Sequence, residues 1–162
     1  MDANTRIPAL YFEDFRVGQV YRTGGITLTE GQIIDFAHRY DPQPFHMNAL
    51  AAAESPYGGL IASGFQTLAL SFRLFIDLGV IQASGMGGPG IDELKWLMPV
   101  RAGDTLHCLT EVIEVRLSST RPDRGYVKWR FQTLNQHSDV VMSYLLPGIV
   151  ATRPRMEKVA KA

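Results

Sequence analysis

The chain has 162 residues, 46% of them hydrophobic and 20% charged. That is the size and mixture of one globular domain, which buries roughly 70% of its unfolded surface and needs no disulfide or metal to hold a core. Its 16 Lys and Arg offset 16 Asp and Glu, which argues against the broad basic face of a nucleic-acid binder. The single cysteine, Cys108, permits no intramolecular disulfide and no cysteine-based zinc site. No apolar stretch approaches the roughly 20 residues that cross a membrane, and Met1 to Pro8 lacks the apolar centre of a signal peptide. A soluble cytoplasmic protein is expected.

In chain order, Tyr11 to Val17 mixes aromatics with Glu13, Asp14 and Arg16 and is expected to lie on the surface of the core. Gln19 to Thr29 is a strand interrupted at Gly24-Gly25. Thr29 and Gln32 have the form of a capping box ahead of Ile33, Ile34, Phe36 and Ala37, which predicts a short amphipathic helix ending near Tyr40. Pro42 and Pro44 bias Asp41 and Gln43 away from helical angles, so the chain is expected to leave as an extended loop carrying His46. Asn48 to Ala53 forms one more helical turn, broken by Ser55-Pro56-Tyr57-Gly58-Gly59. Ser63 to Leu78 is the most apolar helix in the chain. Phe65, Leu68, Leu70, Phe72, Leu74, Phe75 and Ile76 surround most of its circumference, which predicts a helix wrapped by other structure.

Gln82 to Gly90 is a loop with four glycines, expected beside an acyl pocket. The second half then turns to strands: Ile91 to Met98, a turn at Pro99 to Asp104, Thr105 to Leu117, and a turn at Arg121 to Gly125. Tyr126 to Leu134 alternates, with Val127, Trp129, Phe131 and Thr133 on the buried face. A hairpin over Asn135 to Asp139 leads into Val140 to Thr152, where Pro147-Gly148 implies a bend or an edge. Strands segregated from helices specify an α+β domain with a sheet curled around one helix. We assign residues 1–152 to that single domain and 153–162 to a basic C-terminal tail expected to fray.

Chemistry concentrates on Asp41 and His46. On a regular helix a spacing of five would separate the two side chains; on a loop stiffened by prolines they can converge at small entropic cost. A carboxylate and an imidazole sharing one water supply a base and an acid near neutral pH. The competing reading is an aspartate that ends a helix and a histidine that hydrogen-bonds backbone. His38, His107 and His137 have surface or packing homes, and Cys108 reads as a buried small hydrophobe. Downstream, Gly59-Leu60-Ile61-Ala62-Ser63-Gly64 runs straight into the long helix. The unpaired N–H groups and partial positive charge of a helix start can stabilise an enolate oxygen, and a glycine lets it come close. Ser63 is either the N-cap or a ligand contact.

Four segments occur in order: Tyr11-Phe-Glu-Asp-Phe-Arg-Val-Gly18, Asp41 to His46, Gly58-Gly-Leu-Ile-Ala-Ser-Gly64, and Pro99-Val-Arg-Ala-Gly-Asp-Thr-Leu106. With them the chain resembles the MaoC-like acyl dehydratases, relatives of the (R)-specific enoyl-CoA hydratases, over about residues 10–152. The resemblance implies a hot-dog fold, a curved antiparallel sheet wrapped around Ser63 to Leu78. It implies a homodimer, or a higher oligomer, with active sites near the subunit interface and an acyl-CoA as substrate. It further implies fatty acid metabolism, with no metal and no bound cofactor. Carried over, Asp41 is the general base for water addition to a trans-2-enoyl thioester and His46 its partner. The backbone N–H of Gly64 binds the thioester oxygen. Two positions depart from the family pattern: Gln43 stands where asparagine is usual, and Ser63 where histidine is common. Gln43 and Ser63 are therefore expected to touch the water or substrate, while Phe65, Phe72 and the Gly-rich loop shape the acyl pocket.

Other features are weaker. Gly85 to Gly90 follows a helix and precedes a strand, the reverse of a phosphate loop. Arg101, Lys128, Arg130, Arg153, Arg155 and Lys158 are available to coenzyme A phosphates. Two other functions remain open: thioester hydrolysis on the same fold, and a non-catalytic acyl-CoA-binding subunit. Hot-dog thioesterases tend to carry their carboxylate on the central helix, and here that helix has only Asp77, at its far end.

Overall fold

Alternation of apolar and polar residues in the second half of the chain produces three long strands. A computed structural model describes Pro8 and residues 10–154. Strands β4 (Thr105–Leu117), β5 (Arg124–Leu134) and β6 (Val140–Ala151) form an antiparallel meander. Two short strands, β1 (Val20–Arg22) and β2 (Ile26–Thr27), pair with β4 on its outer side, while β3 (Asp92–Trp96) pairs with β6. The order is therefore β1-β4-β5-β6-β3, with β2 beside β1 along β4 and β3 at the opposite edge. Gly24-Gly25 falls between β1 and β2, the interruption expected there.

The α-helices all precede β3. They are α1 (Glu30–Tyr40), α2 (Pro44–Met47), α3 (Ala49–Glu54) and α4 (Gly64–Asp77). Thr29 and Gln32 close the capping box of α1 as expected: the Gln32 N–H donates to Thr29 Oγ1 and the Thr29 N–H to Gln32 Oε1. Helix α4 lies across the middle of the sheet. Phe75 packs its ring on Trp129 and Phe131, with centroids 5.9 and 5.2 Å away, and Val127, Trp129, Phe131 and Thr133 are the buried face of β5. This is the hot-dog arrangement, an α+β domain with a curved sheet around one helix.

Four expectations need correction. The segment Tyr11 to Val17 is not confined to the surface: Phe15 is fully buried, edge-on to Trp129 at 5.7 Å. Helix α4 is covered on one side only, so Phe65, Phe72 and Ile76 are exposed. The Gly-rich loop lies along β6, through Met86 N–H to Ile149 O and Ile149 N–H to Gly87 O, and does not reach the cleft described below. Strand β6 is internal, flanked by β5 and β3. Pro147 is tolerated because β3 stops opposite Leu145, so the missing N–H falls in the gap before the Gly-rich loop takes over as partner. The expected fraying of the tail concerns mainly residues 155–162, outside the described residues. Arg153, at its start, is held by Glu13 and Asp14. No helix among the described residues is long and apolar enough to cross a membrane.

Candidate active site

Helix α1 ends where Pro42 requires an extended neighbour. Asp41 is its C-cap, with φ −152° and ψ 70°, and its N–H makes the last helical bond to Ala37 O at 3.0 Å. The chain does not stay extended. Pro44 takes the first position of α2, where a missing N–H costs nothing, and His46 sits within that single turn. The expected loop is thus a restarted helix, and it turns the imidazole back toward Asp41.

His46 is 4% exposed. Its Nδ1 lies 2.7 Å from the carbonyl oxygen of Ile61. A carbonyl only accepts, so Nδ1 carries the hydrogen and Nε2 faces Asp41 Oδ2, 3.3 Å away. Phe45 walls the ring edge-on, its centroid 4.5 Å from that of His46, and Tyr57 packs on Phe45 in turn. Both readings of the pair hold together: Asp41 ends a helix and His46 bonds backbone, and these two anchors bring the groups face to face.

Asp41 accepts two further hydrogen bonds, from Ser63 Oγ at 2.7 Å and from Gln43 Nε2 at 2.8 Å. Burial pushes its pKa upward, but the bonds from Ser63 and Gln43 and the neighbouring His46 outweigh this and hold the carboxyl below its ordinary range. Ser63 also accepts from the Phe65 N–H at 3.2 Å, so it caps α4. It is fully buried. Its second contact is therefore Asp41 rather than a ligand.

A cleft of about 460 Å³ opens beside the pair, within the usual range for small-molecule sites. Asp41, Gln43, His46, Gly64 and Phe65 line it, which brings together every expected site residue except the buried Ser63. Gly64 is the first residue of α4, so its N–H has no intrahelical acceptor. Phe72 does not line the cleft. Trp96, Leu97 and Met98, at the end of β3, form the opposite wall and were not singled out in the sequence. The only signal was an apolar run too hydrophobic for a surface strand. Of the proposed phosphate contacts, Lys128 is paired with Asp92, Arg130 with Glu111 and Arg153 with Asp14. Arg101 donates to the carbonyls of Leu60 and Tyr57 at the rim. Arg155 and Lys158 lie outside the described residues. Among the described residues, no group of three or more His, Cys, Asp or Glu is placed to hold a metal ion.

The model of the family described as MaoC-like domain matches residues 14–127. The chain is 32% identical over 124 residues to the uncharacterized protein YdeM of Bacillus subtilis, covering 76% of this chain and 86% of that protein. A crystal structure of a MaoC-like dehydratase from Rhodospirillum rubrum superposes with a TM-score of 0.84 at 38% identity, covering 90% of this chain and 99% of that one. The R-hydratase PhaJ1 from Pseudomonas aeruginosa superposes with a TM-score of 0.71 at 25% identity, over 90% of this chain and 88% of that one.

Proposed function

Because the chain belongs to the MaoC-like domain family, we propose that it is an enoyl-thioester hydratase acting in either direction on an acyl-CoA. The observation that carries this reading is the convergence of Asp41 Oδ2 and His46 Nε2, 3.3 Å apart, on a cleft that the open N-terminus of α4 also lines. The similarity to the Pseudomonas R-hydratase supports it.

In the hydration direction, Asp41 takes a proton from a water whose oxygen bonds to carbon 3. Electrons move through the double bond onto the thioester oxygen, which the Gly64 N–H holds. His46 Nε2 accepts a hydrogen bond from the water's other hydrogen, and the proton taken from water then passes from Asp41 to carbon 2. The product carries one hydroxyl and one hydrogen from a single water, and both side chains return to their starting state. Ile61 O fixes the imidazole in the tautomer that presents Nε2.

Hydrolysis is less well served. The carboxylate on α4, Asp77, pairs with Arg73 at 3.6 Å on an exposed surface. The test is direct: Asp41→Asn and His46→Ala should each slow hydration of a short trans-2-enoyl-CoA by about 10²- to 10⁴-fold, with circular dichroism unchanged. Turnover near wild type in either variant would sink the assignment. Release of free coenzyme A with no change in enoyl absorbance would favour the thioesterase.

We also propose a homodimer. Away from the cleft, the uncovered side of α4 exposes Phe72 and Ile76, and Ile91 is exposed just before the edge strand β3, an apolar set for which a second copy is the simplest cover.

A further inference from the structure

The glycine that opens α4 has a neighbour that the dyad does not explain. A Cβ built on Gly64 would lie 2.5 Å from both Nε1 and Cε2 of Trp96. The indole therefore rests on the helix start, and any side chain at position 64 would collide with it. Two anchors hold it there. Its backbone pairs with Met142 in the β3–β6 ladder, and its ring meets Phe65 edge-on at 5.8 Å.

A Cβ lies about 2.5 Å from the nitrogen of its own residue, so Gly64 N and Trp96 Nε1 are at most about 5 Å apart. One oxygen at about 2.9 Å from each nitrogen spans up to roughly 5.8 Å. The two donors can therefore share it. Trp96 Nε1 donates to no group among the described residues, and the residue is 50% exposed on the wall of the cleft. Gly64 N, as the first residue of the helix, has no acceptor within it.

We propose that the Trp96 indole N–H is a second hydrogen-bond donor to the thioester oxygen, beside the Gly64 N–H. This rests on the enoyl-thioester reading and adds a catalytic residue to it. Charge accumulates on that oxygen as water adds, so a donor aimed at it favours the transition state over the bound substrate. Loss of one such donor shows in kcat rather than KM.

The experiment replaces Trp96 by phenylalanine and, separately, by 3-benzothienylalanine, which keeps the bicyclic shape but has sulfur in place of N–H. Turnover of but-2-enoyl-CoA is measured on each. The carbonyl stretch of the same thioester, carbon-13-labelled at the carbonyl, is recorded by infrared difference spectroscopy in the Asp41→Asn background, which holds it unreacted. We expect both replacements to lower kcat by about 10²-fold, with KM within threefold, and the stretch to move toward its value in water. A benzothienyl variant with wild-type kcat and an unmoved stretch would overturn the assignment and leave the indole acting by shape alone. Absence of hydration by the wild-type chain would count against the hydratase reading alone, because the stretch still reports whether the indole touches the bound carbonyl.

Discussion

Asp41 is held by groups from three parts of the chain: Gln43 two residues on, His46 on the following turn, and Ser63 at the start of the central helix. The first two are local, and the Pro42/Pro44 stretch makes their meeting legible in the sequence. The third is not, because nothing within 20 residues of Asp41 indicates that a helix cap will arrive there. Ser63→Ala removes a donor to the carboxylate and an acceptor for the Phe65 N–H together. The acid limb of kcat/KM should then move to higher pH, since one of the interactions that lowers the Asp41 pKa is gone. Loss of the cap should cost about 1 kcal/mol in urea unfolding. The sign for stability follows from the same shift. The folded pKa is depressed, so the contribution of Asp41 is complete above the unfolded value near 3.9 and fades as pH falls through the folded one. The difference in stability between wild type and Ser63→Ala should therefore narrow in strong acid. A constant difference down to pH 2 would show that Ser63 acts as a cap alone.

At the scale of elements, α4 mixes polar and apolar residues on its covered side. That side carries Gln66, Thr67 and Ser71 beside Leu74 and Phe75, and the open side carries Phe65, Phe72 and Ile76. Ser71 explains the polar half. Its hydroxyl meets Thr133 Oγ1 at 2.9 Å, Tyr144 OH at 3.1 Å and Cys108 Sγ at 3.2 Å, which joins the helix to β4, β5 and β6 at one buried point. Ser71→Ala leaves Tyr144 OH without its partner and takes one contact each from Thr133 and Cys108, which still meet each other, and should cost about 1–3 kcal/mol in urea unfolding while leaving KM for an enoyl-CoA unchanged. Burial also pushes the Cys108 thiol up, so it should react with a thiol reagent only as fast as the chain unfolds. The apolar circumference read from the sequence was real. Periodicity records that a face is apolar, not whether this chain or another covers it.

For the whole molecule, that uncovered face leads to the next expectation. Phe72 lies on the outer side of α4 and does not line the cleft, so Phe72→Glu tests association apart from chemistry. The wild-type chain should sediment as a dimer and the variant as a folded monomer at the same concentration. A wild-type monomer at micromolar concentration would dismiss the second copy as the cover for this face. The Gly-rich loop shows the opposite kind of misreading. Its glycines suggested a place beside the pocket, yet a Cβ at Gly88 would collide with Pro147 O. The small residue there lets the loop pack on β6.

By itself the sequence determined the strands of the second half, the capped ends of α1 and α4, and the pair Asp41 and His46. Each depends on alternation, capping chemistry or proline stiffness acting within a few residues. Only the tertiary structure decided that Ser63 bonds Asp41, that Ile61 O orients His46, and that Trp96 rests on Gly64. These contacts join residues 15 to 32 positions apart, or more when the ladder to β6 is counted. Their geometry exists only once the sheet has closed around the helix, because no local preference of either partner encodes the distance between them.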